Sequence, residues 1–301
     1  MTAATQAKPS VAARELCELG VEMVGSGALA VPLELPVRSL SAGSIARFER
    51  CQSQWQAHYL LGRRDPPNLK MAAGSAIGNT LAALFAARIA GEGEISPVDA
   101  DDRLAAEWEF EAGACAGVEA GEVDEVGEGL RAPLRAYLEQ VAPEIRPAAV
   151  EREVRFGFSG ASWSVVGYLD LETEAGECID YKCSTKHLAP ARALTDIQPT
   201  TYLLAKTLEG AEAPSFAYHS LRRGRVRDES DRIRRVPAER TTTQIEGMGL
   251  RIASVARQIA RAATTDEWAY STQGWWCGEG MCANWERCPA GGLVSGPDPS
   301  A

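Results

Sequence analysis

Gly167-Tyr-Leu-Asp170-Leu-Glu-Thr-Glu174-Ala-Gly-Glu177-Cys-Ile-Asp180-Tyr-Lys182 is the stretch from which the rest of the chain is best read. Glu174-Ala-Gly-Glu177 is a turn signal between two short runs, so the stretch predicts two adjacent strands of a hairpin. Side chains alternate along a strand, placing Asp180 and Lys182 on one face and Ile179, Tyr181 and Cys183 on the other. If Asp170 lies across from Asp180, two carboxylates converge where a divalent cation would offset their repulsion. Further on, Gln198 and Tyr202 stand four residues apart, on one face of an expected helix, with Pro199 suited to its first turn.

Magnesium and manganese take oxygen ligands, bind through one or two carboxylates, and keep positions open for water and phosphate. Such an ion grips a phosphate and acidifies an attacking water. Lys182 would then stabilise charge building on the phosphoryl oxygens. The chain has only five lysines, at 8, 70, 182, 186 and 206, so one placed two residues after a strand acid is informative. A bare Asp-x-Lys also fits an ordinary exposed hairpin with scattered charges, and Gln198 and Tyr202 fit a chance surface pair. Their succession is what favours a site.

A second constellation is Trp275-Trp-Cys277-Gly-Glu-Gly-Met-Cys282-Ala-Asn-Trp-Glu-Arg-Cys288-Pro. Three thiols in a glycine-containing loop can wrap a metal centre, and a tetrahedral thiolate site or an iron-sulfur cluster needs a fourth ligand. Cys51, in Phe48-Glu-Arg-Cys51-Gln-Ser-Gln-Trp55, is the best candidate. The spacing admits structural Zn²⁺ as well as iron, and the alternative is a set of buried or free thiols.

Taken in order, these pieces resemble the RecB-like branch of the PD-(D/E)XK nuclease superfamily, of the iron-sulfur exonuclease type found in phages and beside CRISPR adaptation genes. The resemblance runs from about Ser39 to Cys288. It is carried by Ser41-Ala-Gly-Ser-Ile-Ala-Arg-Phe-Glu-Arg-Cys51, Gly74-Ser-Ala-Ile-Gly78, Gly167-Tyr-Leu-Asp170, Asp180-Tyr-Lys182, Gln198-x-x-x-Tyr202 and the cysteine triplet. It implies an α/β restriction-endonuclease-like core, a mixed β-sheet flanked by helices, with a helical insert and a C-terminal cysteine-cluster loop. It also implies that Asp170, Asp180 and the Tyr181 carbonyl hold Mg²⁺ or Mn²⁺, completed by Lys182, Gln198 and Tyr202. Cys51, Cys277, Cys282 and Cys288 would hold a 4Fe-4S cluster that staples the fold. The implied activity is exonucleolytic cleavage of DNA at single-stranded ends, with recombination or CRISPR-adaptation proteins as partners. One departure matters: such proteins usually carry a metal-ligating histidine where this chain has Gly78, so water, Asn79 or another acid must substitute, or metal affinity falls. The alternative reading is a catalytically weakened DNA-binding or adaptor protein on a nuclease scaffold.

Composition agrees. At 301 residues and 45% hydrophobic content the chain can bury a full core. No run approaches the roughly 18 apolar residues that span a bilayer, and the start lacks a signal pattern, so no membrane is implied and a cytoplasmic location is expected. The formal net charge of -10 argues against a general nucleic-acid coat. Between 220 and 240, however, eight arginines face four acids, and Arg222, Arg223 and Arg225 are candidate backbone contacts. The alternative is a solvated hairpin whose arginines pair with nearby acids.

Residues 1–36 are expected to be a mobile N-terminal segment with a short helix around Ala12 to Val24. The nuclease domain is expected over 37–288, with a helical insert at 75–141, a catalytic sheet and helix at 149–222, and a helix and cysteine loop at 241–288. Within it, one helix is expected from Ser39 or Ser41 to about Leu61. Ile245, Met248, Ile252, Val255 and Ile259 mark a long amphipathic helix. Residues 289–301 are expected to be a disordered tail.

Overall fold

The stretch from 167 to 182 forms the hairpin that its turn signal implies, and a mixed sheet is built around it. The computed structural model describes residues 21–22, 34–65, 67–93, 96–115, 117–274, 276–279 and 281–294. In chain order the elements are β1 (Val21–Glu22), β2 (Ser39–Leu40), α1 (Ala42–Arg50), α2 (Gln52–Tyr59), α3 (Leu69–Ala90), α4 (Pro97–Gly113) and α5 (Ala120–Gln140). Next come β3 (Pro147–Phe158), β4 (Ser164–Thr173), β5 (Glu177–Ser184), α6 (Pro190–Thr195) and α7 (Ile197–Leu208). The chain closes with β6 (Ser215–Arg222), β7 (Ile233–Pro237), α8 (Thr242–Thr265) and α9 (Pro289–Val294).

The strands form one sheet of seven in the order β1-β3-β4-β5-β6-β7, with β2 paired to β4 off that path. Two packed layers cover it. Phe48, Trp55, Leu203, Leu204, Ile252 and Ile259 from α1, α2, α7 and α8 bury against Val154, Phe156 and Leu169. On the other side Ile77, Leu81, Phe85, Leu104, Leu130 and Tyr137 from α3, α4 and α5 bury against Leu171, Ile179 and Tyr181. The expected α/β architecture is therefore observed; α3, α4 and α5 cover the 75–141 segment, with α3 beginning earlier, at Leu69.

The hydrogen-bond ladders explain where an opening can form. β3 and β4 pair along almost their whole lengths, and β5 and β6 run parallel over eight pairs. Between β4 and β5 only Leu171↔Ile179 and Glu172↔Cys178 pair. On that same edge β2 covers β4 only at Ser164 and Val165. Residues 166–170 thus border a gap, and Asp170 and Asp180 are the first positions beyond the last ladder pair.

Three local expectations are corrected. The helix expected from Ser41 to Leu61 is broken at Cys51, whose backbone is extended (φ -165°, ψ 112°). The break lets Trp55 bury completely, edge-on to Phe48 and stacked on Trp268 at 5.7 Å, with its indole N–H donating to Ser44 Oγ at 3.0 Å. Val21–Glu22 is a strand paired with β3, not the end of a helix, and the rest of the Ala12 to Val24 expectation lies outside the described residues. Pro289–Val294 is helical where a structureless tail was expected.

Among the described residues one helix, Leu69–Ala90, is long and apolar enough by composition to cross a membrane. Its buried Ala73, Ala76, Ile77, Leu81 and Phe85 make it a central helix of the α3–α5 layer. The low charge of the segment therefore reflects burial in protein.

Candidate active site

Asp170 ends the open edge of β4 and Asp180 faces it from β5. The Tyr181 backbone N–H donates to Asp170 Oδ2 at 2.9 Å, so the side chain of Asp170 takes the place of a missing ladder bond. A strand residue sends its N–H and C=O to the same edge, which turns the Tyr181 carbonyl toward this gap too. Asp180 is 4% exposed. Its Oδ1 accepts from Gln198 Nε2 at 2.6 Å, while Oδ2 has no aligned hydrogen bond and meets the Lys182 ammonium at 2.7 Å. Alternation holds as read: Asp180 and Lys182 face Gln198, whereas Ile179, Tyr181 and Cys183 pack toward α3–α5.

α7 positions the remaining groups. Asp196 caps it by accepting from the Gln198 N–H at 3.0 Å, which fixes the first turn beside Asp180. One turn later the Tyr202 hydroxyl donates to the Tyr168 carbonyl at 2.7 Å, on the edge that β2 and β5 leave unpaired. The ring lies so close to β4 that a Cβ at Gly167 would stand 2.4 Å from Tyr202 Cε1. Gly167→Ala is therefore expected to push α7 off the strand. A thermal-unfolding loss of about 1–3 kcal/mol, with weaker cleavage, would check this; an unchanged midpoint would contradict it. Behind the site, Lys206 on α7 holds Glu172 at 2.6 Å and Glu209 at 2.8 Å, and Arg152 on β3 reaches the same two acids at 2.6 and 2.9 Å.

The acids make an unfavourable group by themselves. Burial and the charge of Asp180 push the Asp170 carboxyl up to about 7, and burial raises Asp180 as well. Glu151, on β3, is raised by burial and by Asp180. It sits between the pairs Val150↔Leu171 and Arg152↔Leu169, opposite Asp170, in a left-handed backbone (φ 45°). Among the described residues no ion pair neutralises it. Sequence reading left Glu151 unassigned, because a strand acid carries no signal of a reversed backbone.

These groups open into a cavity of about 870 Å³ between the sheet and α3. Lys70, Lys182 and Lys186 border it, three of the five lysines in the chain, together with Arg192. Gly78 borders it as well, and a Cβ there would meet nothing within 4 Å, so the absent side chain leaves open space beside the acids. Asn79 is a neighbour, but its amide nitrogen is bound to Glu107 at 3.0 Å and to Glu111 at 3.3 Å. His187 reaches the rim with its ring nitrogens engaged by Ser220 Oγ and the Asp231 carbonyl. His219 is buried, bonded to the Tyr137 hydroxyl, and burial holds its imidazole down at about 4, in the neutral form.

The arginine stretch lies apart from the acid cavity and is partly paired with acids. Arg222 pairs with Asp231, Arg232 with Glu229, Arg234 with Asp231 and Arg235 with Glu177. Arg223 and Arg225 make no ion pair among the described residues, yet neither borders the acid cavity. Acids pair four of the eight arginines, and the cations at the cavity come from Lys70, Lys182, Lys186 and Arg192.

The cysteines are gathered but not arranged as ligands. Cys277 lies within charge range of Cys288, Cys51 and Cys282, and burial with that mutual repulsion raises its thiol. Its Sγ donates to the Ser271 carbonyl at 3.0 Å. Among the described residues no group of three or more His, Cys, Asp or Glu side chains is set to hold a metal, so the expected four-cysteine centre is not formed as a ligand set. The loop is tied down by other bonds: Ala283 N–H to Asp65, Arg63 to Asn284, Asn284 to Ser53, and Ser53 N–H to the Ala269 carbonyl. All seven described cysteines are free.

Two strand acids, a lysine two residues on, and a helix that braces them converge at one open edge of a mixed sheet. Residues 39–289 match the PD-(D/E)XK nuclease superfamily, and the chain belongs to it. In three dimensions it is similar to the crystal structure of a "Putative exonuclease" from Eubacterium rectale, with a TM-score of 0.50 and 13% identity over 80% of this chain and 87% of that one. No curated protein matches the chain.

Proposed function

We propose that the protein is a divalent-metal-dependent deoxyribonuclease of the RecB-like branch, acting as an exonuclease on single-stranded ends in the cytoplasm. The observation that carries this is the convergence of Asp170 and Asp180 at the unpaired edge, inside a cavity bordered by three lysines.

The donor set fits a hard cation. A buried and a half-buried carboxylate, both with raised proton affinity, the first with one oxygen lacking an aligned hydrogen bond, and a backbone carbonyl on the same edge are oxygen ligands of the kind that magnesium or manganese uses. Asp170, Asp180 and the Tyr181 carbonyl would hold the ion. When bound, it supplies charge neutralisation at the phosphate and acidification of a water. The chain does the rest. The Tyr181 N–H fixes one oxygen of Asp170, and Gln198 fixes one oxygen of Asp180, so neither acid has to be ordered when substrate arrives. The Lys182 ammonium stands beside Asp180, where it can stabilise developing charge on phosphoryl oxygens. Lys70, Lys186 and Arg192 draw the phosphates of the strand in. No step uses a cysteine-held metal; the terminal loop acts as a clasp on α2.

The direct test is cleavage of end-labelled linear and circular single-stranded DNA with Mg²⁺, with Mn²⁺ and with EDTA. Linear DNA is expected to be degraded with either ion and circular DNA to be spared. Binding without turnover under both ions would favour the adaptor reading. The pH dependence follows from Asp170. Its proton is retained below about 7 in the folded protein, so cleavage at limiting metal is expected to rise with pH through that value. The sign is opposite for stability without divalent ions. Asp170 has a folded pKa above its unfolded value of about 3.9, so its contribution is fully present below that value and is lost as pH rises toward 7.

A further inference from the structure

One arginine of the 220–240 stretch is engaged by neither an acid nor the acid cavity. Arg240 stands between β7 and α8, pinned on one side by the Ala238 N–H to the Phe216 carbonyl at 2.9 Å and on the other by the capping box of Thr241 and Gln244. It is half-buried, and among the described residues it forms no ion pair. Its guanidinium reaches the joint between α6 and α7. Nη2 donates to the Ala193 and Asp196 carbonyls, each at 2.8 Å, Nε donates to Thr200 Oγ1 at 2.7 Å, and Nη1 donates to the Glu239 carbonyl at 2.8 Å. Ala193 lies in the last turn of α6, Asp196 both ends α6 and caps α7, and Thr200 stands at the first turn of α7.

That joint supports the acids. From it α7 sends Gln198 to Asp180 Oδ1 at 2.6 Å. Thr200 is two residues further on, which at about 3.6 residues per turn places it nearly opposite Gln198 around the helix. α7 is therefore gripped twice, by Gln198 at the acids and by Arg240 behind them. A planar fork suits the task, because its donors meet acceptors on two helices at fixed angles, whereas an ammonium offers one nitrogen on a flexible stem.

We propose that Arg240 is a positioning residue of the nuclease site: by locking the joint of α6 and α7, it sets the placement at which Gln198 holds Asp180. The inference rests on the metal-dependent nuclease reading and adds to it a residue that touches neither the ion nor the DNA. Loosening the joint frees Asp180 to turn, and affinity for a hard cation falls, as it does when an outer partner of a metal-binding carboxylate is lost.

The test is a calorimetric titration of Mn²⁺ into the full chain without DNA, for the intact protein, Arg240→Lys, Gln198→Ala and the double variant, with helical content and thermal midpoint recorded for each. The intact protein is expected to bind Mn²⁺, and each single variant to bind it about tenfold more weakly. The double variant is expected to be no weaker than either single one, because Arg240 acts through Gln198. Unchanged affinity in Arg240→Lys overturns the proposal. So does a double variant whose loss is the product of the two single losses, as independent or merely destabilising changes would give. Thr200→Val, which removes one acceptor of the clamp, is expected to weaken Mn²⁺ binding in the same direction by less; should Arg240→Lys fail to fold, unchanged affinity in Thr200→Val overturns the proposal instead. The two levels separate in the same experiment. An intact protein that binds no Mn²⁺ brings down the nuclease reading and this role with it, whereas binding with independent losses brings down the positioning role alone.

Discussion

Asp180→Asn abolishes cleavage, lowering the single-turnover rate by on the order of 10³-fold, and leaves the fold intact. The change is isosteric and keeps an acceptor for Gln198 Nε2, which now sits 2.6 Å from Asp180 Oδ1. What is lost is negative charge at a place 4% exposed, where surrounding water cannot replace it. Stability responds in the other direction. Burial raises the Asp180 pKa, so the ionised form of the side chain is a cost to the folded protein, and asparagine removes it. Lys182 loses its partner but remains 39% exposed and solvated. The thermal midpoint measured without divalent ions is therefore expected to hold or rise. A variant that cleaves at the full rate would sink the site assignment, and one that is unfolded would sink the account of what Asp180 costs.

Lys182→Met is expected to reduce the single-turnover rate by about 10²-fold with little change in strand affinity measured in EDTA. The split arises because Lys70, Lys186 and Arg192 still border the cavity, while among the described residues no other ammonium pairs with Asp180. Stability should fall by no more than about 1 kcal/mol, since a pair with a partly exposed member is screened by solvent. Affinity that drops in parallel with rate would make Lys182 a binding residue. An arginine in its place restores charge but spreads it over a planar fork, so only part of the rate should return.

Much of this site was legible because its signals are periodic or local. The turn at Glu174 to Glu177 fixed the hairpin, alternation fixed the faces of Asp180 and Tyr181, and four-residue spacing brought Gln198 and Tyr202 to the same strands. The long helix after Arg240 followed from its apolar repeat and carries a capping box at Thr241 and Gln244. What escaped depends on events that a pattern does not encode. The break at Cys51 is imposed by burial of Trp55, a tertiary demand that overrides continuous helical propensity. β1 pairs across the sheet with residues more than a hundred positions away, and nothing local announces it. Lys70 and Lys186 are unremarkable until folding sets α3 and the segment after β5 around one cavity. The arginine stretch left two readings open, backbone contacts or pairing with nearby acids; Glu229 and Asp231 stood in the same stretch, whereas the approach of Glu177 from β5 depends on the sheet.

The two-pair ladder between β4 and β5 has a mechanical consequence. A continuous sheet resists shear because every displacement breaks hydrogen bonds; here the halves on either side of the gap share the ladder bonds nearest the turn and, beyond them, the Tyr181 N–H bond to the Asp170 carboxylate. The seam is thus tied by a reactive group itself, and a substitution at Asp170 removes a backbone tie together with a charge.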